Sequence, residues 1–134
     1  MKKLVECVPN ISEGNNQSII KKIVEVVEKY PGIKLLNVDP GKATNRTVIT
    51  FVGEAEITVD AAFKLISKAK ELIDMSIHQG EHPRMGAVDV CPLIPISGIS
   101  MDETVELAHR LSERVGNELS CLLYTSPSPR DDVI

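Results

Sequence analysis

Three stretches of the chain carry apolar residues at spacings of three and four, and short β-branched segments separate these stretches. The first runs from Gln17 to Tyr30, the second from Ile57 to Ile73, and the third from Ser100 to about Leu119. Because an α-helix turns once in about 3.6 residues, this spacing collects the apolar residues on one helix face. We therefore expect three amphipathic helices, each with one face buried.

The segments between these helices have the composition of β-strands. They are Leu4 to Val8, Ile33 to Val38, Arg46 to Val52, and Ala87 to Ile96. The turn-rich segment from Asp39 to Asn45 predicts a hairpin between the second and third strands. Pro92 and Pro95 restrict the fourth strand to an edge, an end or a bulge, because proline cannot donate to a sheet ladder.

The resulting order is βαββαβ with a trailing helix, which predicts a ferredoxin-like α+β sandwich. In that fold the helices cover one face of an antiparallel sheet. With 134 residues and a mass of 14.7 kDa, the chain has room for one domain. We place this domain at residues 1–119. Residues 120–134 contain Ser126-Pro127-Ser128-Pro129, which cannot continue a helix, so we expect an extended tail there that does not belong to the domain and is either disordered or an artefact of truncation.

Composition excludes several functional classes. A net charge of -4 and only 3% aromatic residues offer neither a basic surface nor a stacking platform for nucleic acid. No apolar run has the length of a membrane span or of a signal-peptide core, so we predict a cytoplasmic protein without a membrane partner. The cysteines Cys7, Cys91 and Cys121 are far apart and odd in number, which indicates neither a disulfide framework nor a thiolate metal site. Cys7 is predicted to be a core thiol.

The densest chemistry of the sequence lies between His78 and Gly86. His78, Glu81 and His82 match the H-x-x-E-H pattern of inverted zinc peptidases, which requires both histidines on one helix face. Gly80 within the pattern and Pro83 directly after it disfavour such a helix. We therefore expect no metal here, and a zinc hydrolase remains the most distant alternative.

A second interpretation makes His82 an acid–base group. A neutral imidazole near pH 7 can take a proton from an attacking amine and return it to a leaving nitrogen. Glu81 would face a cationic group, and the guanidinium of Arg84 suits a carboxylate. The alternative is a histidine that only bonds a backbone carbonyl, and that interpretation is favoured for His78. His109 is expected on a solvated helix face.

A further polar cluster occupies the predicted hairpin. Asp39 and Gly41 fit turn geometry. Asn45 and Arg46, beside Thr44, offer several donors in one place, which suits a ligand that carries a carboxylate better than a turn requires.

Several blocks of the sequence agree in order and spacing with one enzyme family. They are Val5 to Gly14, Asn37 to Gly41, Thr44 to Thr47, Leu72 to Ala87, and Asp89 to Pro92. Together they resemble the amino-terminal half of the formiminotransferase domain of glutamate formimidoyltransferases, over about Lys3 to Leu119. These enzymes move a formimino group between N-formimino-L-glutamate and tetrahydrofolate in histidine degradation.

The resemblance implies a first ferredoxin-like subdomain that packs against a second one, with folate between them. The string Gln79-Gly80-Glu81-His82-Pro83-Arg84 carries the family's catalytic base onto His82. By charge and placement, Asp39 and Glu81 would stabilise an amidinium, while Arg46 and Arg84 would hold glutamate or folate carboxylates, with Asn45 as a further substrate-binding residue. Tetrahydrofolate would be a co-substrate, and no metal would be required.

The resemblance ends where the tail begins. We therefore expect a truncated fragment that lacks the carboxyl-terminal subdomain and that forms a homo-oligomer when complete. Such a fragment is either the catalytic half of the enzyme or a non-catalytic α/β binding module derived from the family. The sequence leaves open whether the donor is formimino or formyl, and whether a cyclodeaminase domain follows.

Overall fold

The computed structural model describes residues 2–73 and 88–119, which form an antiparallel sheet with helices packed on it. The elements in these ranges are β1 (Leu4–Cys7), β2 (Asn10–Ile11), α1 (Gln17–Glu28), β3 (Lys34–Gly41), β4 (Arg46–Glu54), α2 (Ala55–Leu72), β5 (Val88–Val90), β6 (Leu93–Ser97) and α3 (Met101–Leu119). The three helices predicted from the apolar spacing are confirmed, with ends that shift by about two residues.

The sheet has the strand order of the ferredoxin-like fold. β4 pairs with β3 on one side and with both β1 and β2 on the other. β6 continues the sheet beside β1, and β5 continues it beside β2. Because β1 and β2 follow one another along the same ladder, as do β5 and β6, the sheet is four strands wide in the order β3, β4, β1–β2, β6–β5. Every one of these pairings is antiparallel, so the predicted fold class is confirmed.

Within residues 2–73 and 88–119, the helices cover one face of the sheet and no element lies on the other, which we call the uncovered face. α2 packs between α1 and α3, and it contacts β1 and β4 beneath it. Along β4, Thr47, Ile49 and Phe51 are buried toward the helices, whereas Val48 and Thr50 point the other way and are half-buried. This alternation follows from the two-residue period of a strand. The core is therefore a single layer between sheet and helices.

Side chains at two helix starts satisfy backbone donors that the helices leave free. Ser100 Oγ accepts from the Glu103 backbone nitrogen at 3.1 Å, and Glu103 Oε1 accepts from the Ser100 nitrogen at 3.1 Å. This reciprocal pair of hydrogen bonds is a capping box. At the start of α1, Asn16 Oδ1 accepts from the Ile19 nitrogen at 3.2 Å. That cap was not predicted.

The hairpin between β3 and β4 differs from the prediction. Asp39 to Gly41 belong to β3, where Asp39 pairs with Val48, so the turn begins only at Lys42. Asn45 closes the turn with φ of 56°, a left-handed conformation that asparagine tolerates better than most residues. Pro40 is compatible with a strand because β3, within the described ranges, pairs only with β4.

The other proline-containing segments also alter the predicted strands. The fourth predicted strand is interrupted at Cys91 and Pro92, which separates β5 from β6. Pro95 lies within β6 at the sheet edge, as the restriction on proline predicts. Beyond Pro9, where the first strand was expected to give way to a loop, Asn10 and Ile11 pair with β4 and β5.

A small polar network joins the three helical regions on the outer side of the helix layer. The Tyr30 hydroxyl, just after α1, donates to the Asp60 carboxylate in α2. Arg114 of α3 donates from Nη1 to Asp60 Oδ1 at 2.8 Å, and its guanidinium carbon lies 3.9 Å from the centre of the Phe63 ring. The hydrogen bond from Tyr30, with the one from Arg114, holds the pKa of Asp60 below its ordinary value.

We expect Asp60→Asn to flatten the acid dependence of stability. The pKa of Asp60 is lower in the folded chain than the value of about 3.9 expected when unfolded, so its contribution is present above about pH 4 and disappears as the pH falls through the folded value. The variant should be less stable at pH 7 and lose less stability on acidification. Urea unfolding between pH 2 and pH 7 measures both effects.

Glu113→Gln, which removes an exposed carboxylate from α3, is the matched control and should keep the acid dependence of the parent. An Asp60→Asn protein with the same acid dependence as the parent would contradict the role given to this network.

Candidate functional site

Two polar segments of the described chain lie at one edge of the sheet, where β2 and β3 end and where β4 and β5 begin. The register shows this directly, because Ile11 pairs with both Thr47 and Val88, while Gly41 pairs with Arg46. We call this side of the molecule the loop edge. It comprises residues 12–16, the turn at residues 42–45, and the strand ends beside them.

The carboxyl end of α2 also reaches the loop edge. α2 starts where β4 ends and runs back along the sheet, and its 18 residues span about 27 Å, close to the roughly 30 Å of the nine residues of β4. The chain therefore enters the segment of residues 74–87 near Ile73 and leaves it at Val88 on the same edge. Both of these flanking residues are buried.

Side chains join the loop that follows β2 to the hairpin turn. Asn45 Oδ1 accepts from the Gly14 nitrogen at 2.9 Å and from Asn15 Nδ2 at 2.9 Å. The buried Thr47 hydroxyl donates to the Glu13 carbonyl oxygen at 2.6 Å. We call these five residues the loop clasp. They hold two segments in place that are about thirty positions apart in the sequence.

Gly14 permits the close approach of these segments. A Cβ atom at this position would lie 2.4 Å from the Gly41 carbonyl oxygen and 2.6 Å from the Arg46 nitrogen, distances that real Cβ atoms do not adopt. The Glu13 carboxylate stabilises the same loop, since its Oε2 accepts from the Asn15 and Asn16 nitrogens at 3.1 and 2.8 Å. Sequence reasoning missed the clasp, although a glycine in a loop rich in Asn and Glu was its visible signal.

Asp39 lies on the uncovered face of the sheet near the loop edge. It is exposed and pairs with Val48, whose other neighbour across the sheet is Asn10. Residues paired side by side point to the same face, so Asp39 and Asn10 flank Val48 on that face. The structure thus places the Asp39 carboxylate on the surface, beside β4, rather than in a turn.

Asn45 and Arg46 are brought together at the loop edge as predicted, but with different surroundings. The Asn45 side-chain oxygen already accepts two hydrogen bonds, which is the capacity of its two lone pairs. Only its amide nitrogen is then available in the role of a ligand donor, and that role stays a prediction. Arg46 is exposed at the first position of β4, opposite Gly41.

The remaining predicted site residues, Glu81, His82 and Arg84, lie outside the described residues, as does His78. The described part of the chain supplies Asp39, Asn45 and Arg46 and both ends of the segment that carries the others. The predicted roles of Glu81, His82 and Arg84 therefore rest on the sequence motif alone.

The described residues bear on two further predictions. Cys7 is fully buried beside Cys91 and is a core thiol, as predicted; burial, more than any other cause, raises its pKa. His109 is exposed on α3, also as predicted.

Residues 2–73 and 88–119 contain no cluster of three or more His, Cys, Asp or Glu side chains arranged to bind a metal. None of their helices combines the length and apolarity needed to cross a bilayer.

Comparison with known families agrees with the fold and with the motif. Residues 4–131 match the family model described as the formiminotransferase domain, N-terminal subdomain. The chain belongs to this family. The resemblance inferred from the separate sequence blocks is thereby confirmed. The match also extends beyond Leu119, where the sequence placed the domain boundary, so that boundary stays a prediction.

Relatives of this family member are enzymes of greater length. The chain is 53% identical over 124 residues to formimidoyltransferase-cyclodeaminase of Rattus norvegicus. The aligned region covers 92% of this chain and 23% of that protein. It is 45% identical to the glutamate formimidoyltransferase of Streptococcus pyogenes serotype M1, and the alignment covers 92% of this chain and 42% of that enzyme. It is 44% identical to the glutamate formimidoyltransferase of Thermoplasma acidophilum, with 96% of this chain and 43% of that enzyme covered. The chain thus spans less than half the length of each of these relatives.

We expect Gly14→Ala to destabilise the formiminotransferase subdomain by about 1–3 kcal/mol, the usual cost of forcing a methyl group into a filled space. The new Cβ would meet backbone atoms, which cannot turn aside. Urea unfolding with two spectroscopic probes measures the loss.

The matched control is Gly41→Ala. There the nearest atom to a Cβ is the Thr44 hydroxyl oxygen at 3.0 Å, a side chain that can rotate away. Equal losses for the two variants would show that the close approach at Gly14 is not the tight constraint described.

Proposed function

We propose that this chain is the amino-terminal half of an enzyme that transfers a formimino group between N-formimino-L-glutamate and tetrahydrofolate. Family membership supports the reaction class. The observation that carries the proposal is the loop edge, because Asp39 and Arg46 lie there together with both anchors of the segment that contains His82.

Chain length allows His82 and Arg46 to act on one substrate. His82 precedes Val88 by six residues, which span at most about 20 Å. Val88 lies two strands away from Thr47 along one row of the sheet, which corresponds to about 10 Å. A ligand of the size of formiminoglutamate would fit within that range.

His82 acts as the general acid–base in this proposal. Its neutral imidazole removes the proton from the nitrogen of tetrahydrofolate that attacks the amidine carbon. The tetrahedral adduct then collapses as the same imidazolium returns the proton to the departing glutamate nitrogen. Holding both reactants in one groove removes much of the entropic barrier of a two-substrate reaction.

Charged residues would orient the two substrates. The carboxylates of Asp39 and Glu81 face the amidinium, whose positive charge they stabilise. The guanidinium groups of Arg46 and Arg84 bind the carboxylates of glutamate or folate in the paired geometry that arginine favours. Asn45 contributes its amide nitrogen. Tetrahydrofolate enters and leaves as a co-substrate, and the reaction needs no metal.

The proposal includes a second, carboxyl-terminal subdomain as the partner of the uncovered sheet face. That subdomain would complete the folate groove, and the complete enzyme would be a cytoplasmic homo-oligomer. The competing function is a non-catalytic binding module of the same family. Because the chain spans 23% to 43% of the three relatives compared above, the two functions are tested on a protein joined to the remaining sequence of a relative.

The first prediction concerns His82. Joined at Leu119 to the remaining sequence of a glutamate formimidoyltransferase relative, the chain should transfer the formimino group, and His82→Ala should lower kcat by about 10²–10⁴-fold. Formation of formiminotetrahydrofolate, followed by absorbance, measures the rate. His109→Ala, in an exposed position on α3, is the matched control and should leave kcat unchanged.

Normal transfer by the His82→Ala protein would disprove the acid–base assignment. If the joined protein is folded and binds folate but transfers nothing, the binding module is the better description. Zinc in a one-to-one ratio with the purified protein would instead favour the hydrolase interpretation of His78, Glu81 and His82.

The second prediction concerns Arg46. In the joined protein, Arg46→Ala should raise KM for formiminoglutamate or for tetrahydrofolate by about 10–100-fold, the cost of one charge-assisted hydrogen bond to a carboxylate. Steady-state kinetics with each substrate varied in turn identifies which carboxylate is bound. Arg110→Ala is the matched control, because that arginine is engaged with Glu56 on the outer side of the helices, at 2.9 Å.

An unchanged KM for both substrates in the Arg46→Ala protein would exclude Arg46 from the binding site. Equal increases in the Arg46 and Arg110 variants would indicate a general effect of net charge.

A further inference from the structure

Two cysteines that the proposed reaction does not use lie in contact inside the core. The Sγ atoms of Cys7 and Cys91 are 3.4 Å apart, and both residues are fully buried as free thiols. They are separated by 84 positions in the sequence. A disulfide has an S–S distance of about 2.05 Å, so a relative shift of about 1.4 Å would allow the bond to form.

The pair lies where two adjacent strands are interrupted. Cys7 is the last residue of β1, and Cys91 occupies the gap between β5 and β6. The ladder closes again around this gap, where the Val8 nitrogen donates to the Pro92 carbonyl oxygen at 3.1 Å. Cys91 therefore lies between β5 and β6, directly beside the end of β1 that carries Cys7.

The strand before Cys91 is the most weakly attached part of the described sheet. β5 has three residues, and in the described ranges it pairs only with β2, through two positions with an irregular register. Short edge strands with few hydrogen bonds open locally at a small fraction of the free energy of global unfolding. Val88 and Cys91 belong to the core under α2, so opening of β5 would expose the Cys91 thiol by loosening this border of the core.

We propose that Cys7 and Cys91 form a redox-active dithiol site that a small disulfide of the glutathione type oxidises to an intramolecular disulfide. When β5 opens, the Cys91 thiolate attacks one sulfur of the small disulfide and releases one small thiolate. The Cys7 thiol then loses its proton as it attacks Cys91 Sγ, and the second small thiolate is displaced and takes up that proton. The two protons from the protein thiols end on the two released thiols, and the protein loses two electrons to the oxidant.

The bond would fasten the strand after the segment of residues 74–87 to the centre of the sheet. Cys91 lies three positions beyond Val88, where that segment ends, and Cys7 lies in β1, which pairs with β4. Oxidation would thus restrict the opening of β5 and raise the Tm. This proposal depends on the described core and not on the reaction assigned to the enzyme.

The test uses the chain in a Cys121→Ser background, in which any intramolecular disulfide must join Cys7 to Cys91. The native protein is incubated with glutathione disulfide, quenched with acid and analysed as the intact protein and as a peptide digest without reduction. We expect the protein to lose the mass of two hydrogen atoms, a peptide that links Cys7 to Cys91, and a higher Tm that dithiothreitol reverses.

The Cys7→Ser variant is the matched control. It should keep one glutathione on Cys91, because no second thiol can displace it. The unaltered chain, digested in the same way, should give the same Cys7–Cys91 peptide. Its result does not depend on whether the substituted proteins fold.

Three outcomes would overturn the proposal. In the first, the native protein keeps both thiols while the same protein in urea is oxidised. In the second, a stable glutathione adduct remains on Cys91 although Cys7 is present. In the third, the Cys7–Cys91 bond forms but leaves the Tm unchanged or lowers it.

Discussion

The antiparallel pairing of β4 on both of its sides is the interaction on which the rest of the structure depends. β4 aligns with β3 along one edge and with β1 and β2 along the other. Its inward residues include Phe51, which is fully buried under the helices and contributes on the order of 2 kcal/mol by its removal from water. A shift of one residue in this register would turn these side chains to the uncovered face. The pairing therefore fixes both the core and the two surfaces of the sheet.

The same register also determines where the candidate site can be. Since β4 begins at Arg46, the ends of β2 and β3 and the start of β5 must all lie at that edge. The clasp between Asn45 and Gly14 then holds two of the loops at this edge in contact. Residues that are far apart in the sequence are therefore neighbours at this edge, and strand pairing rather than any single loop determines which of them meet there.

The extent to which the sequence predicts this fold differs between helices and strands. Apolar spacing defines the helices well, because a buried face repeats over several turns and tolerates local exceptions. The strand ends are harder, since Asp39-Pro40-Gly41 has the composition of a turn and yet continues β3. The left-handed conformation of Asn45 closes a turn that begins at Lys42, three residues after Asp39, where the predicted turn began. Such a choice depends on tertiary pairing and is not visible in local composition.

In the candidate site, too, some features are visible in the local sequence and others depend on tertiary contacts. Charge and position were sufficient to single out Asp39 and Arg46, and the structure places both at or near the loop edge. The clasp was missed, since its hydrogen bonds join Gly14 and Asn45 through tertiary contact and the sequence signals only that Gly14 lies in a polar loop. The roles of Glu81, His82 and Arg84 were predicted from a contiguous motif, in which the order of the residues identifies the family.

The uncovered face of the sheet has the mixed character that the proposed function requires. Half-buried Val48 and Val52 lie on it, but Glu6 and Asp39 are beside them in register. A face that only packed against another domain would be more uniformly apolar, because buried carboxylates without partners are costly. Carboxylates set among valines suit a surface that is partly covered by another layer and partly occupied by a polar ligand. In the proposed function, the Asp39 carboxylate on this face would stabilise the cationic amidine.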